Sequence, residues 1–261
     1  MAFTVHAVMP GVWHIVDCMG VCMTLLEGEN AAMLVDTGYG IEDVADFMRH
    51  MTDLPLTVFL THNHHDHALG ARCFPKTYML EADMADWRMF TDDKMRRRVL
   101  TQAIGKNLPV DEKTFLAGEI PLPKVMKPGV IDLGGLTAEI IEAPGHTPGS
   151  AVVYVPERKL LLSGDDWNPC TWLFFPQALG LREYRSNMRG IQQLPFEKVL
   201  CPHREALYDR WMFDDFFNAL TDGNLRAAEP VNIAPYEQID TCQATLPHDQ
   251  VLVFDWAKSG L

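Results

Sequence analysis

The chain has 261 residues, 48% of them hydrophobic, with 35 acidic against 22 basic side chains and a formal net charge of -13. That length allows one large domain or two small ones with a substantial core, and the negative charge opposes attraction to a phosphate backbone, which argues against nucleic acid as a partner. No apolar run reaches the ~18 residues needed to cross a bilayer, and Met1 to Pro10 lacks a basic segment followed by an apolar core, so a cytoplasmic protein without membrane attachment is expected.

In chain order, Val12 to Asp17, Cys22 to Glu27 and Ala31 to Asp36 are short apolar runs broken by glycine and polar turns, which predicts an antiparallel meander. Ile41, Val44, Phe47 and Met48 then repeat with helical spacing over 41–51. Leu56 to Thr61 predicts a strand that delivers Thr61-His62-Asn63-His64-His65-Asp66-His67 at its carboxyl end, where open sheets place ligands. A short helix over Ala68 to Cys73 and a strand over Thr77 to Leu80 follow, then helices over Met84 to Phe90 and Lys94 to Ile104 and a proline-bearing loop from Leu116 to Val130. Arg96, Arg97 and Arg98 on the second helix fit a solvated face, with contact to a substrate carboxylate as the functional alternative.

Leu136 to Ile141 predicts a strand leading into Pro144-Gly145-His146, and Ala151 to Val155 with Lys159 to Leu162 predicts a hairpin ending at Asp165. Trp167 to Pro176 is an aromatic run with neither strand nor helix periodicity, which fits core packing, a dimer contact or one wall of an apolar pocket. Tyr184 to Leu194 predicts a helix, Lys198 to Cys201 a strand before His203, and Glu205 to Leu220 an aromatic-rich helix. The tail from Thr221 offers a closing strand near Val251 and no evident chemistry. No linker, repeat or low-complexity run divides the chain, so a single domain over 1–261 is expected, with a helical insertion at about 81–127. The six cysteines form no CxxC pair, and Cys18 and Cys22 are expected as buried thiols.

The run at 62–67 is costly unless it binds something. Neutral imidazole is a good ligand for zinc, iron or manganese, and a carboxylate adds negative charge beside it. This run resembles the HxHxDH signature of the metallo-β-lactamase fold superfamily, and the chain also carries Pro144-Gly145-His146-Thr147-Pro148-Gly149, Gly164-Asp165 and Cys201-Pro202-His203 in that family's order. The last departs from the family spelling, since proline directly precedes the histidine.

The resemblance implies an α/β fold: an αββα sandwich of two mixed β-sheets flanked by helices. It implies two divalent metal ions, zinc first and manganese or iron as alternatives. His62, His64 and His146 would hold one, and Asp66, His67 and His203 the other, with Asp165 bridging. Asp36 would orient a ligand histidine, and Asp66 would also shuttle a proton to the leaving group. The implied activity is hydrolysis of an ester, lactone or thioester bond by a metal-activated water, as in the glyoxalase II and lactonase-like branch. A phosphodiesterase and a mononuclear-iron, persulfide dioxygenase-like oxidoreductase are the alternatives. The tail is short of the lysine and arginine that glutathione thioester hydrolases carry there. Trp167, Trp172, Phe174 and Tyr184 are candidates for the wall of a pocket that takes a small molecule with an apolar portion, and a homodimer is left open.

Overall fold

The computed structural model describes residues 3–261, so Met1 and Ala2, the start of the stretch read for an export signal, lie outside the described residues. The strands are β1 (Thr4–Met9), β2 (Val12–Val16), β3 (Cys22–Glu27), β4 (Ala32–Val35), β5 (Leu56–Phe59), β6 (Tyr78–Met79), β7 (Lys124–Val125), β8 (Gly129–Asp132) and β9 (Thr137–Glu142). They continue as β10 (Ala151–Val155), β11 (Leu160–Leu162), β12 (Cys170–Leu173), β13 (Lys198–Leu200), β14 (Tyr208–Asp209), β15 (Glu229–Pro230), β16 (Thr241–Leu246) and β17 (Gln250–Asp255). The helices are α1 (Val44–Met51), α2 (His65–Ala68), α3 (Trp87–Thr91), α4 (Asp93–Gly105), α5 (Glu112–Phe115), α6 (Leu181–Ile191), α7 (Arg210–Ala219) and α8 (Asp222–Arg226).

A seven-stranded sheet runs in the order β1 to β7 and a six-stranded sheet in the order β14-β13-β11-β10-β9-β8. Both are mixed: β1 to β4 pair antiparallel and β4 to β7 parallel, while β11 and β13 form the parallel pair of the second sheet. The central strands have apolar side chains on both faces, as expected where both sides of a sheet are covered. Met33 and Val35 point with Val153, Val155, Leu160 and Leu162 into the layer between the sheets. Leu34 points the other way onto Val44 and Met48 of α1. Val152, Tyr154 and Leu161 point outward onto Tyr184 and Met188 of α6 and Phe213 and Phe216 of α7. The layers are therefore helix, sheet, sheet, helix, as the sequence predicts.

The structure adds a third sheet, in the order β12-β17-β16-β15. Cys170–Leu173, inside the aromatic run read as aperiodic, is strand β12 and pairs in parallel with β17. Four residues are too few to show an alternation, and the partner lies about eighty positions along the chain. Further strands sit where none is expected, β7, β14, β15 and β16 among them. β1 pairs with β2, and β8, which begins inside the expected loop 116–130, pairs with β9.

Local boundaries follow capping. Helix α1 begins at Val44, not Ile41, because the Asp43 side chain accepts from Asp46 N, and α4 begins after Asp92, which accepts from Met95 N. Helix α7 starts at Arg210 because Tyr208–Asp209 pair with β13. Helices α3 to α5 and their connections bury Trp87, Val99, Leu100, Phe115 and Ile120 against Leu60 and Met79, so the 81–127 segment packs directly over the end of β5.

None of the six cysteines is disulfide-bonded; Cys22 is buried as expected, but Cys18 is only half-buried. No helix among the described residues is long and apolar enough to cross a membrane.

Phe254 on β17 is fully buried in the cluster that joins the third sheet to α6 and α7. Phe254→Ala is expected to lower stability by about 3–5 kcal/mol, the usual cost of emptying a packed phenylalanine site. Urea unfolding checks this, and a loss below about 1 kcal/mol would mean that the third sheet is not packed as described.

Candidate metal centre

Each candidate residue is carried to one place by a loop that follows a strand. His62 and His64 lie just beyond β5, and His67 sits on the single turn of α2. His146 follows β9, Asp165 follows β11 and His203 follows β13. Three overlapping sets have ligand atoms within 4.8 Å of one another: His62, His64 and His146; His62, His67 and Asp165; and Asp66, His67 and His203.

Asp165 lies among them. Its Oδ2 is 3.4 Å from His146 Nε2 and 3.9 Å from His62 Nε2, its Oδ1 is 3.5 Å from His67 Nε2, and His203 Nε2 is 3.1 Å from both oxygens. Asp66 Oδ2 is 3.7 Å from both His67 Nε2 and His203 Nε2. Asp165 is thus in reach of both groups, and Asp66 of the second.

The far nitrogens of these rings fix which atom faces inward. His67 Nδ1 is 3.0 Å from Asp36 Oδ2, so it carries a proton, and in the neutral ring Nε2 is the bare nitrogen. Thr61 Oγ1 gives its proton to Asp36, so it accepts from His62 Nδ1 at 3.0 Å and His62 Nε2 is bare as well. His146 Nδ1 donates to the Trp172 carbonyl at 2.6 Å, which again leaves Nε2 bare. His64 Nδ1 faces that nitrogen at 2.8 Å, while its Nε2 is 2.6 Å from the Gln177 side-chain amide. The Gln177 atom placed there is Nε2; with that amide turned over, so that its oxygen accepts from His64 Nε2, His64 Nδ1 also faces inward bare.

These residues fit a metal on the evidence of their orphaned atoms. His62 Nε2, His67 Nε2 and Asp165 Oδ1 are buried with no hydrogen-bond partner. Buried polar atoms without partners are costly, and bare imidazole nitrogens around a carboxylate are the donor set of a borderline divalent cation. The protonation balance agrees for His62 and His64. Burial and then the neighbouring imidazoles hold His62 and His64 well below the ordinary histidine range, hence neutral, as a ligand must be. Burial pulls His67 and His203 down too, but Asp165 and Asp66 outweigh it and hold both up. Burial alone would raise Asp66, yet His67, His65 and His203 outweigh it and keep the carboxyl at about 2.

Behind the histidines lies a carboxylate frame. Asp36 takes a positive φ of 65° at the end of β4 and accepts from Thr61 N, Thr61 Oγ1 and His67 Nδ1. Asp83, which the sequence reading missed, is buried and joins two ligand loops. It accepts from Asn63 N at 3.1 Å, Thr147 Oγ1 at 2.8 Å and Gly149 N at 2.6 Å. Gly149 is required there, since a Cβ would lie 2.7 Å from the Asp83 carboxyl carbon. Asp166, the next residue after Asp165, turns away from the centre and accepts from His146 N at 3.0 Å. A Cβ at Gly145 would lie 2.4 Å from the Tyr184 ring, so only glycine allows this path.

The centre opens into a cavity of about 470 Å³. Phe90, Trp172, Phe175 and Tyr236 give it an apolar side, while Tyr39, His65, Arg98, Gln102 and Arg204 lie on its polar side. Of the four pocket candidates, only Trp172 lines this space, at 38% exposure. The other three are corrected. Trp167 is fully buried and donates to Gln250 Oε1 in the outer core, Tyr184 is fully buried and donates to the Asp166 carbonyl, and Phe174 is fully buried. Alternation along β12 turns Leu173 inward from Trp172, Phe174 just past the strand end is buried as well, and Phe175 takes the wall, 4.8 Å from the His64 ring. The tail, read as without chemistry, supplies Ala234, Pro235 and Tyr236 to the same cavity. Of the three arginines, Arg96 is buried, Arg97 pairs with Asp93 outside, and Arg98 faces the cavity.

The family model for the metallo-beta-lactamase superfamily matches residues 16–203, more than half of the chain. The chain belongs to the metallo-beta-lactamase superfamily. It is 25% identical over 202 residues to an acyl-coenzyme A thioesterase from Gallus gallus, covering 69% of this chain and 70% of that protein. Among solved structures, a metallo-beta-lactamase from Pontibacter korlensis superposes with a TM-score of 0.57 at 18% identity, covering 83% of this chain and 98% of that one. A chain solved in a di-iron-bound form superposes with a TM-score of 0.54 at 20% identity, covering 76% of this chain and 94% of that one. Metallo-beta-lactamase architecture therefore accounts for the two central sheets and the four ligand-bearing loops.

Asp83 supplies a test of the frame. Asp83→Asn replaces one acceptor oxygen with a donor facing N–H or O–H groups, and is expected to cost about 1–3 kcal/mol. Burial first, against the hydrogen bonds from Thr147, Gly149 and Asn63, raises the Asp83 carboxyl to about 6. A raised carboxyl stabilises the fold below its unfolded value, and that contribution fades as pH climbs through about 6. Thermal unfolding from pH 4 to pH 7 should show this decline in the wild type and not in Asp83→Asn; equal pH profiles would contradict it.

Proposed function

We propose that this chain is a metal-dependent hydrolase that cleaves an ester, lactone or thioester bond of a small molecule with an apolar portion. The observation that carries this reading is the convergence of bare histidine nitrogens on Asp165 at the base of a cavity with an aromatic wall. The acyl-coenzyme A activity named for the Gallus gallus relative supports the thioester end of that range.

His62, His64 and His146 would hold one divalent ion and Asp66, His67 and His203 a second, with Asp165 shared between them. Zinc suits the donors best; manganese and iron fit the same set, and one structural neighbour was solved with two irons. Such ions supply Lewis acidity and a water acidic enough to attack at neutral pH.

The chain's own residues do the rest. Asp66 faces the cavity and is ionised at neutral pH, so it takes a proton before it can pass one to the leaving group. Phe90, Trp172, Phe175 and Tyr236 hold the apolar portion and keep water from it. Asp36, Gln177 and the Trp172 carbonyl hold the histidine rings in place. A mononuclear oxidoreductase would use the first three histidines and leave His67 and His203 facing Asp165 without work.

Asp165→Ala should abolish hydrolysis of a thioester and lactone panel, with a loss of at least about a thousandfold, while circular dichroism shows a folded protein. An active variant would remove the bridging role. Trp172→Ala should raise KM for long-chain acyl substrates about tenfold and leave that for acetyl substrates within about twofold. Equal effects on both would assign Trp172 to packing.

A further inference from the structure

In a chain of net charge -13, the cavity has two arginines at its mouth and no acidic lining residue besides Asp66 and Asp165 of the centre. Both arginines are exposed, and the groups that would neutralise them are engaged elsewhere. On α4, Asp93 gives one oxygen to Arg96 at 3.1 Å and the other to Arg97 at 3.0 Å, and among the described residues Arg98 has no ion pair. Beside Arg204, Glu205 is held by His6 at 2.8 Å, and the Arg204 guanidinium donates only to the His203 carbonyl at 2.9 Å. Gln102, one turn along α4 from Arg98, adds an amide to the same side. Trp172, Phe175 and Tyr236 line the same cavity. The cavity thus offers an apolar side, a buried centre and a cationic mouth.

We propose that the substrate carries an anionic group, a carboxylate or a phosphate, apart from the bond that is cleaved, and that Arg98 and Arg204 bind it. This rests on the hydrolase reading of the centre and narrows its substrate to an anionic amphiphile. A guanidinium left without a protein carboxylate is free to make paired N–H contacts with such a group. The pair also sets a local field opposite to that of the whole chain, which would draw an anion to an acidic protein. The sequence held part of this in the Arg96-Arg97-Arg98 run; only the structure shows which of the three faces the centre.

The test uses the protein as purified with its metal, and thioesters of one medium-length acyl chain on a neutral, a carboxylate-bearing and a phosphate-bearing thiol. The wild type should favour at least one charged thioester over the neutral one by about tenfold in kcat/KM at low salt. Arg98→Gln and Arg204→Gln should each lower that preference about fivefold, chiefly through KM, and 0.5 M salt should shrink it in the wild type. The carboxylate and phosphate arms distinguish the two sources of charge. Equal kcat/KM for neutral and charged thioesters, or variants that slow all of them alike, would overturn the proposal. If no thioester is cleaved, the thioester end of the hydrolase reading is at fault, and binding decides the anion site on its own. Tryptophan emission titrated with a straight-chain alkyl phosphate and the matching alkanol should then show a phosphate preference that both variants reduce. Equal binding by wild type and variants would overturn it.

Discussion

The imidazoles of His62, His67, His146 and His203 are packed around the Asp165 carboxylate, and the outward nitrogens of the first three are committed to other partners. Asp36, Thr61 and the Trp172 carbonyl fix His67, His62 and His146 respectively, so the inward atoms of those rings are lone pairs. Lone pairs gathered in a buried space repel one another and are cut off from water, an arrangement that a fold sustains when a cation occupies the space between them. Most other features around the centre serve to hold that arrangement. Asp83 ties the loop of His62 and His64 to the loop of His146, and Asp166 secures the backbone of His146 from behind.

The two-sheet architecture explains how residues so far apart in sequence meet. Strands β5, β9, β11 and β13 end near the same edge, and each hands one or more polar residues to a short loop there. The sheets themselves are apolar on both faces and fixed by layers on either side, so the loops start from rigid ends. The third sheet has a separate use. It brings Trp172 and, through the segment before β16, Tyr236 to the cavity, and α3 and α4 bring Phe90 and Arg98 to it. The centre and its surroundings thus come from different parts of the chain: metal-binding character from the sheet loops, cavity character from the 81–127 segment, the β12 strand and the tail.

That division also separates what the sequence showed from what it did not. The ligand candidates lie in short, dense motifs whose residue types serve few other purposes, and Asp36 stands at a strand end where a turn was already evident. The alternating strands and the flanking helices follow from apolar periodicity. The cavity was far less legible. Trp167, Trp172, Phe174 and Phe175 are alike by composition, and only the pairing of β12 with β17, between distant stretches, decides which of them faces the cavity. Gln177, Asp83 and Tyr236 stand in segments with no periodicity and no motif, and they reach the centre through tertiary contacts alone. Arg98 differs from Arg96 and Arg97 only by its angular position on a helix whose packing had to be known first.

The most direct test of this account is elemental analysis of the protein purified without added metal or chelator, read as metal atoms per chain. Two divalent ions per chain, falling together when a chelator is added and accompanied by a drop in thermal stability, is the result predicted for two histidine sets sharing Asp165. A fully folded chain that retains no metal, and whose unfolding temperature is unmoved by zinc, manganese or iron, would contradict it.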